Sequence, residues 1–432
     1  MRQYKDSGIE WIGKIPETWE VMQIRRVMRN RSERNQPDAM VLSLYRDLGI
    51  VPKESRDDNH NVTSEDTANY KVVSKGNFVI NKMKAWQGSM AVSEYDGIVS
   101  PAYYVCSFTR EVCKKYVHYL LRDASYKPEY LRLSTGMRIG QWDLNIEDFL
   151  RIKTILPPVE EQQCIADYLD LKCGEIDSLI ALQEQMIEKL KAYKQSIITE
   201  TVTKGLDTNA KLVPSGIDWI GEVPEGWEEA PLKTILFRRS EKNNPVKTKE
   251  RLSLSIDKGV TLYAEKTTNL DRFKEDFTQY QLAYPNDIVL NSMNMIVGAV
   301  GLSHFYGCVS PVYYVVYSKS KDTDIRYYSY LLNTQIIRDV YHSLGQGIYA
   351  IERGEGRVNT CRLKVSYDDF GVIRIPIPPV SEQHAIVSYL DVKCSEIDKL
   401  IAVKKQKVEK LKEYKKSVIY EAVTGKTSFA VS

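Results

Sequence analysis

The sequence lacks the features of a membrane or secreted protein. No stretch approaches the roughly 18 consecutive apolar residues of a membrane span, and residues 1–6 are polar, with no apolar signal core. The seven cysteines form no CxxC pair, and their odd number does not indicate a disulfide framework. We therefore expect a cytoplasmic protein with reduced thiols.

The signatures of several catalytic sites are also missing. There is no Gly-x-x-x-x-Gly-Lys-Ser/Thr loop for ATP and no Asn-Pro-Pro-aromatic or Asp-Pro-Pro-aromatic pocket for a flipped base. The five histidines show no metal-ligand spacing. Asp170-Leu171-Lys172 and Asp391-Val392-Lys393 have the Asp-x-Lys form of a nuclease site. They lie at the start of an amphipathic helix without a partner acid, so we interpret them as solvent-facing charges, and we expect no metal and no catalysis.

The charge balance excludes a strongly basic protein. The 60 basic and 57 acidic residues leave a net charge of +3, which does not identify a nucleic-acid binder by itself. Tyrosine is abundant, with 28 residues against 9 Phe, and its rings pack on one side while the hydroxyl bonds to water or a partner. This composition suits extensive hydrated interfaces, and any basic surface must be local.

The chain contains two copies of one sequence pattern. Residues 7–20 match residues 215–228 at 10 of 14 positions, and residues 157–203 match residues 378–424 at 29 of 47 positions without a gap. Between these anchors the copies diverge, and a skeleton of paired residues survives, including Ser43 with Ser253, Asn81 with Asn291, Gly88 with Gly298, Ser100 with Ser310 and Tyr103 with Tyr313. Duplication thus separates a shared scaffold from copy-specific segments.

The copy-specific segments predict domains that are mostly β. Short β-branched and aromatic runs, such as residues 78–80, 103–106, 288–290 and 312–316, are separated by Gly, Pro and Asn. One helix is predicted in each copy, at residues 116–121 and 327–332. Because Trp11, Trp19, Trp219 and Trp227 are identical in domains that ought to differ in specificity, we assign them to core packing rather than to base stacking.

Each copy ends in a predicted long helix. After a Pro-Pro pair, apolar and long side chains recur at spacings of three and four residues, as in a coiled-coil seam. The predicted seam positions are Ile176, Leu179, Gln183, Met186, Leu190, Tyr193 and Ile197 in the first helix, and Ile397, Leu400, Lys404, Lys407, Leu411, Tyr414 and Val418 in the second. Lysines at two positions of the second seam disfavour self-pairing, so we expect the two helices to pair with each other.

These features define a fold class and a domain order. We predict an α+β protein with a pseudo-twofold internal repeat, in which two mostly β domains are separated by two long antiparallel coiled-coil spacer helices. The predicted boundaries are 1–156 for the first domain, 157–206 for spacer helix 1, 207–377 for the second domain and 378–432 for spacer helix 2. A spacer of about 27 residues at about 1.5 Å each, roughly 40 Å, corresponds to about one turn of duplex DNA. Two divergent domains held at that distance would read a split, asymmetric site.

At this point the chain resembles the specificity (S) subunit of type I restriction-modification systems. The resemblance is carried by four motifs that occur twice and in the same order: Trp11-Ile12-Gly13-x-Ile15-Pro16-x-x-Trp19 with Trp219-Ile220-Gly221-x-Val223-Pro224-x-x-Trp227, Pro157-Pro158-x-x-Glu161-Gln162 with Pro378-Pro379-x-x-Glu382-Gln383, Tyr168-Leu169-Asp170 with Tyr389-Leu390-Asp391, and Glu175-Ile176-Asp177 with Glu396-Ile397-Asp398. It covers essentially the whole chain.

The resemblance implies a non-catalytic subunit with one target-recognition domain in each half. Such a subunit reads a bipartite DNA site and docks two methyltransferase (M) subunits and, through the complex, nuclease and translocase (R) subunits. S-adenosylmethionine, ATP and Mg are then expected on the partners, with no cofactor on this chain. Two alternatives remain: a complete single-chain restriction or modification enzyme, and a solitary DNA-binding scaffold that has lost its partners.

Candidate DNA contacts are polar residues that vary between the copies and lie next to the shared skeleton. Arg, Lys, Asn and Gln read base edges and phosphates, which favours such positions. They are Lys82, Lys84, Trp86, Gln87, Arg138 and Gln141 in the first copy, and Ser292, Asn294, Gln346, Arg353 and Arg357 in the second. The alternative for each is an ordinary residue of a surface loop.

Candidate partner contacts lie where the two copies are most alike, because two identical M subunits require two equivalent surfaces. They are Glu161, Gln162 and Tyr168 in the first copy and Glu382, Gln383 and Tyr389 in the second. The competing interpretation is a purely internal packing role. The lysine-rich face of the second helix, residues 404–416, is interpreted as a solvated surface, with contact to DNA phosphates as the alternative.

Overall fold

The chain folds into two compact units in the computed structural model. The structure describes residues 2–46, 48–55, 67–136, 142–265, 276–320, 322–348, 352–353, 357–358 and 362–429. Unit 1 comprises Met1–Glu184 and Lys405–Ser432, and unit 2 comprises Gln185–Lys404. Each unit therefore contains one β-rich domain together with part of each long helix.

The β-rich domain of unit 1 is built on a four-stranded antiparallel sheet, in the order Met28–Arg31, Tyr103–Phe108, Phe78–Asn81, Met90–Val92. Two-stranded pairs surround it: Tyr4–Asp6 with Lys14–Pro16, Glu20–Gln23 with Lys153–Leu156, Leu42–Tyr45 with Gly49–Pro52, Lys71–Val73 with Gly97–Val99, and Ser134–Thr135 with Asp143–Leu144. Its α-helices are Lys114–Arg122, Lys127–Leu133 and Ile146–Arg151. The helix expected at residues 116–121 is thus confirmed.

Unit 2 repeats this plan. Its sheet has the order Phe237–Arg238, Tyr313–Tyr317, Ile288–Asn291, Val300–Leu302. The surrounding pairs are Leu212–Pro214 with Glu222–Pro224, Glu228–Pro231 with Arg374–Ile377, Leu252–Ser255 with Gly259–Leu262, Gln281–Ala283 with Gly307–Val309, Gln346–Ile348 with Arg362–Lys364, and Glu352–Arg353 with Arg357–Val358. The helices are Leu232–Ile235, Ile325–Leu331, Gln335–Leu344 and Tyr367–Val372. The last strand pair lies between Gly347 and Leu363, a stretch that is longer than the corresponding one between Thr135 and Asp143 of the first copy.

The two long helices, Val159–Lys204 and Val380–Val423, pair in antiparallel orientation. In unit 1, Lys415 Nζ lies 2.7 Å from Asp177 Oδ2, and in unit 2, Lys194 Nζ lies 2.7 Å from Asp398 Oδ2. Rising numbers in one helix therefore meet falling numbers in the other. The predicted pairing is confirmed.

The seam of this pair differs from the predicted one at alternate positions. Leu179, Met186 and Tyr193 are exposed by 45%, 39% and 58% of their surface. The helix instead buries Cys173, Ile176, Gln183 and Ile187, with Ile180, Leu190, Lys194 and Ile197 partly buried. Three and four residues after Ile176, and again after Gln183, the sequence has an apolar side chain at both positions. Helical spacing alone therefore does not show which of the two is buried. The second helix follows the same rule, burying Ile401 and Val408 instead of Leu400 and Lys407.

The main core of each unit continues from the β-rich domain into the long helices. In unit 1, Trp19 and Phe149 are fully buried in a cluster that also contains Ile165, Leu169 and Val423. The cluster of unit 2 likewise joins its domain to both helices through residues such as Ile386, Leu390 and Val202. Burial of Trp19 confirms the predicted core role for that tryptophan. A continuous core fixes the helix segments to the domain within each unit.

Candidate nucleic-acid interface

A shared loop carries part of the candidate DNA contacts in each unit. In unit 1 the strand Phe78–Asn81 ends at Asn81, whose Oδ1 accepts a hydrogen bond from the Met83 N–H at 3.2 Å. A short 3₁₀ turn follows and is closed by Gly88 at φ 80°, a left-handed conformation that suits glycine. Asn side chains bonded to the backbone two residues on favour tight turns. The skeleton residues Asn81 and Gly88 thus shape the loop and leave the residues between them free to vary.

The same loop recurs in unit 2 with different side chains. Asn291 Oδ1 accepts from the Met293 N–H at 3.1 Å, and Gly298 closes the turn at φ 93°. Lys84 of the first loop corresponds to Asn294 of the second, and both side chains are exposed. One backbone frame therefore presents two different sets of polar groups.

The other candidates of the first loop contact neighbouring side chains of unit 1. Lys82 Nζ lies 3.6 Å from Asp143 Oδ2, and Gln87 Oε1 accepts a hydrogen bond from Arg46 at 2.5 Å. Trp86 packs edge-on against Trp142, with 5.1 Å between ring centroids, and its indole N–H has no partner among the described residues. These side chains border an exposed loop. Arg138 and Gln141 lie outside the described residues.

The candidates of the second copy separate into two groups. Ser292 is fully buried, and its hydroxyl donates to the Val312 carbonyl at 2.9 Å, so it stabilises the loop and offers no accessible group. Gln346 is exposed and lies opposite Lys364 in a two-stranded pair. Arg353 and Arg357 face each other in a two-stranded pair; their side chains are outside the described set. The accessible candidates of this copy are therefore Asn294 and Gln346.

A cavity of about 430 Å³ lies beside the first loop. Skeleton residues line it together with copy-specific lysines, and its lining includes Ser43, Tyr70, Asn81, Ser100, Tyr103, Lys53 and Lys84. Burial lowers the pKa of Lys53 and raises that of Tyr103. In the sequence, Ser43 and Ser100 belong to the skeleton shared by both copies, and Lys53 is not among the candidate contacts. These residues come from segments that are far apart in sequence and meet only in the folded domain.

The duplicated helix starts are fastened to their own domains. Glu161 is buried and accepts from the Trp19 indole N–H at 3.1 Å and from Arg2. Gln162 accepts from the Cys113 N–H at 2.9 Å and donates to the Pro157 carbonyl at 2.8 Å. These contacts place both side chains inside unit 1.

Unit 2 has the equivalent contacts. Glu382 accepts from the Trp227 indole at 2.9 Å, while buried Gln383 accepts from the Asp324 N–H at 3.0 Å and donates to the Pro378 carbonyl at 2.9 Å. The strong similarity of the two copies at this point thus has an internal cause. This favours the packing interpretation for Glu161, Gln162, Glu382 and Gln383.

The two remaining partner candidates border exposed apolar stripes. Tyr389 is 37% exposed, and Tyr168 is partly buried against Phe429. Helical spacing places Tyr168, Leu171, Leu179 and Leu182 on one helix face, and Tyr389, Val392, Leu400 and Val403 on the equivalent face of the other helix. Except for Tyr168, all of these side chains are exposed. We name them the unit 1 stripe and the unit 2 stripe. The sequence signal for the stripes was their duplication, and of their residues the predicted seam had included Leu179 and Leu400.

The Asp-x-Lys sequences have structural partners. Asp170 accepts from the Tyr119 hydroxyl at 2.9 Å and pairs with Lys115, while Asp391 accepts from the Tyr330 hydroxyl at 2.7 Å and pairs with Arg326. These contacts connect a short helix of each domain to a long helix. In the part of the chain that the structure describes, no group of three acidic, His or Cys side chains is arranged to hold a metal ion.

Neither long helix, nor any other helix within the described residues, combines the length and apolarity of a membrane span.

The comparisons with known proteins agree with this architecture. The family model of the type I restriction modification DNA specificity domain matches residues 16–192. The putative type I restriction enzyme MjaX specificity subunit of Methanocaldococcus jannaschii is 24% identical, with 98% of this chain and 97% of the relative aligned. The MjaVIII specificity subunit of the same organism is 27% identical over 71% of this chain and 69% of its own length.

Two solved structures share the fold. One, from a study of complex assembly and conformational transition of the type I R-M system, has a TM-score of 0.68 at 14% identity, covering 96% of this chain and 99% of that chain. The HsdS subunit from Thermoanaerobacter tengcongensis has a TM-score of 0.50 at 15% identity, covering 96% and 98%. This likeness confirms the predicted α+β fold with two β-rich domains and paired long helices. The chain is thus similar over nearly its whole length to the DNA specificity subunits of type I restriction-modification systems, and residues 16–192 match the model of their DNA specificity domain.

Proposed function

We propose that this chain reads a bipartite, asymmetric DNA site, one half-site per β-rich domain, and performs no chemistry of its own. The observation that carries the proposal is the shared loop: the turn at Asn81 and the turn at Asn291 have the same backbone frame but present Lys84 and Asn294, respectively. A common frame with different polar side chains is what two related domains need to read two different sequences.

The accessible candidates on the loops are the proposed base or phosphate contacts. They are Lys82, Lys84, Trp86 and Gln87 in the first domain and Asn294 and Gln346 in the second. Arg138, Gln141, Arg353 and Arg357 remain proposals from the sequence alone. Cations are the usual partners of phosphates, while amide side chains are the usual partners of adenine.

Methyltransferase (M) subunits are proposed to dock on the unit 1 stripe and the unit 2 stripe. Exposed apolar side chains such as Leu171, at 63% exposure, and Val392, at 57%, are costly to leave in water unless a partner covers them. The stripes occur twice in equivalent positions, which matches two copies of one partner. This moves the predicted docking surface along the helix, from Glu161 and Glu382 toward residues beyond Tyr168 and Tyr389.

The remaining parts of the system are proposed to lie on the partners. Restriction (R) subunits would join through the assembled complex, and S-adenosylmethionine, ATP and Mg would bind to M and R subunits. The complex is proposed to act in the cytoplasm. The paired long helices are proposed to set the distance between the half-sites.

Single-molecule sequencing for methyladenine tests the reading function. DNA from a methylation-free host that expresses this chain with its methyltransferase should carry methyladenine in one split motif, and neither protein alone should produce it. Lys84→Asn, which installs the side chain of the second loop, should change one half-site and leave the other unaltered. Lys75→Asn is the matched control, because Lys75 is exposed in the same domain and pairs with Glu94 away from the loop. Methylation by this chain alone, or a change in both half-sites, would contradict the proposal.

The docking surface is tested by the mass of the assembled complex. Leu171→Glu and Val392→Glu should each remove one M subunit, and the double variant should remove both, as measured by sedimentation. Since both side chains are already exposed, folding should be unaffected. Leu48→Glu, an exposed apolar residue outside the stripes, is the control. Full assembly of the double variant would exclude the stripes as the docking surface.

A further inference from the structure

A cleft rich in basic side chains lies within unit 1, between its β-rich domain and the long helices. It has a volume of about 530 Å³. Arg46, Arg122 and Lys127 of the domain line it together with Lys415 and Lys416 of the second long helix. This is a local concentration of positive charge in a chain whose net charge is only +3.

The acidic groups of the cleft have partners other than these domain cations. Asp170 pairs with Lys115 and Tyr119, and Asp177 pairs with Lys415. Asp123 accepts from the backbone and hydroxyl of Ser125. Within the described side chains, no ion pair is formed by Lys127 or Lys416. The cleft thus holds two lysines without an ion pair among the described side chains, and five cations line it against three carboxylates.

The arrangement is electrostatically unfavourable without a ligand. The pKa of Lys127 is lowered by burial and by the positive charges of Arg46, Lys416 and Arg122, against a smaller opposing effect of Asp123. Like charges brought together at a partly buried position repel each other unless an anion lies between them. A bound anion would remove this repulsion.

The equivalent cleft of unit 2 shows that the scaffold does not require these cations. That cleft, of about 750 Å³, retains the Tyr330–Asp391 and Lys194–Asp398 contacts. The internal repeat places Ile256, Asn333 and Gln195 where unit 1 has Arg46, Arg122 and Lys416, while Arg338 corresponds to Lys127. The frame is shared, and the cations Arg46, Arg122 and Lys416 are specific to unit 1, whereas Lys194, Arg338 and Lys399 are the lysines and arginines that line the cleft of unit 2. A ligand-binding role explains this difference, whereas a role in packing the frame does not.

The cleft is continuous with the loop that carries the proposed DNA contacts. Arg46 donates to Gln87, and Lys127 lies against Gly88, where an added Cβ would come within 3.1 Å of Lys127 Cε. The end of the loop at Gln87 and Gly88 therefore contacts cleft residues. A polyanion that contacts the loop would therefore also reach the cleft.

We propose that this cleft binds a backbone phosphate of the DNA next to the half-site read by the first domain. The proposal rests on the proposed function of the chain in DNA recognition. The cleft contributes affinity and positions the duplex, and it reads no base. Unit 2 lacks an equivalent contact, so the binding of the two half-sites depends on salt concentration to different extents.

The test uses the complete complex with its methyltransferase and a duplex that carries the methylated motif. Lys416→Gln, which installs the side chain of Gln195 from the cleft of unit 2, and Arg46→Gln are compared with Lys410→Gln, an exposed lysine of the same helix outside the cleft. Binding constants are measured from low to high salt. Each cleft variant should reduce the slope of log K against log salt by about 0.9, the value for one lost phosphate contact. The methylated motif should not change, and the control should keep the wild-type slope.

Duplexes with single neutral methylphosphonates identify the phosphate. At one position near the first half-site, the substitution should weaken the wild-type complex and have no further effect on Lys416→Gln. A wild-type salt slope in both cleft variants would overturn the proposal. It would also be overturned if the effects of the methylphosphonate and of Lys416→Gln on binding were fully additive at every position, because the cleft would then serve a free phosphate or a nucleotide. Failure of the wild-type complex to prefer its own motif would instead overturn the proposed function.

Discussion

The buried carboxylate of Glu161 offers a direct test between internal packing and partner docking at the helix start. In unit 1 it accepts from Trp19 and Arg2, and the Arg2 guanidinium also lies 5.9 Å from the centre of the Trp19 ring. Glu161→Ala would leave an arginine and an indole N–H without their acceptor. Breaking a buried ion pair by removing one partner costs about 3–5 kcal/mol.

Glu382→Ala is the matched control within the same chain. Glu382 accepts from Trp227, which is only partly buried, and unit 2 shows no arginine partner for it among the described residues. The loss there should be about 1–3 kcal/mol, the cost of leaving a polar group unpaired. Glu161→Gln keeps an acceptor for the indole and loses the charge. Its loss of stability should lie between the losses of Glu161→Ala and Glu382→Ala.

The assay is urea unfolding of the isolated chain, combined with sedimentation of the chain with its methyltransferase under conditions where the variants stay folded. We expect Glu161→Ala to lose more stability than Glu382→Ala, and both folded variants to assemble normally. If Glu161→Ala keeps wild-type stability but fails to bind the methyltransferase, Glu161 is a docking residue and the reasoning from its burial is wrong.

Three further predictions concern the helices and one titrating group. Ile187→Ala should destabilise the helix pair by about 2–4 kcal/mol in urea unfolding, and Met186→Ala by much less, because Ile187 is buried and Met186 is exposed; equal losses would contradict the observed seam. Inserting one heptad in both long helices, near residues 187 and 401, should lengthen the gap between half-sites in the methylated motif without altering them; altered half-sites would refute the spacing role. Burial, with Arg122 as a second cause, lowers the pKa of His118 to about 3. The unfolded chain therefore binds a proton below about pH 6.5 that the folded chain does not, so stability should fall as pH decreases from 6.5 toward 3, and His118→Gln should flatten that dependence between pH 6.5 and 5.

The sequence by itself determined the plan of this protein. Internal duplication separated scaffold from variable segments, and the Pro-Pro pair followed by regular apolar spacing predicted two long helices that pair with each other. Such features are local or repeated, so a single chain displays them without reference to its fold. The loop between Asn81 and Gly88 was located in the same way, because its boundary residues survive in both copies.

The tertiary structure decided which side chains face outward. Glu161 and Gln162 looked like a docking surface because they are duplicated, yet their contacts with Trp19 and Cys113 come from residues 142 and 49 positions away. Leu179 and Ile180 fit the helical period equally well, and only packing against the partner helix selected Ile180. The basic cleft joins Arg46, Lys127 and Lys416 from three distant segments. Contacts between residues far apart in sequence depend on how the elements pack, which periodicity and duplication do not encode.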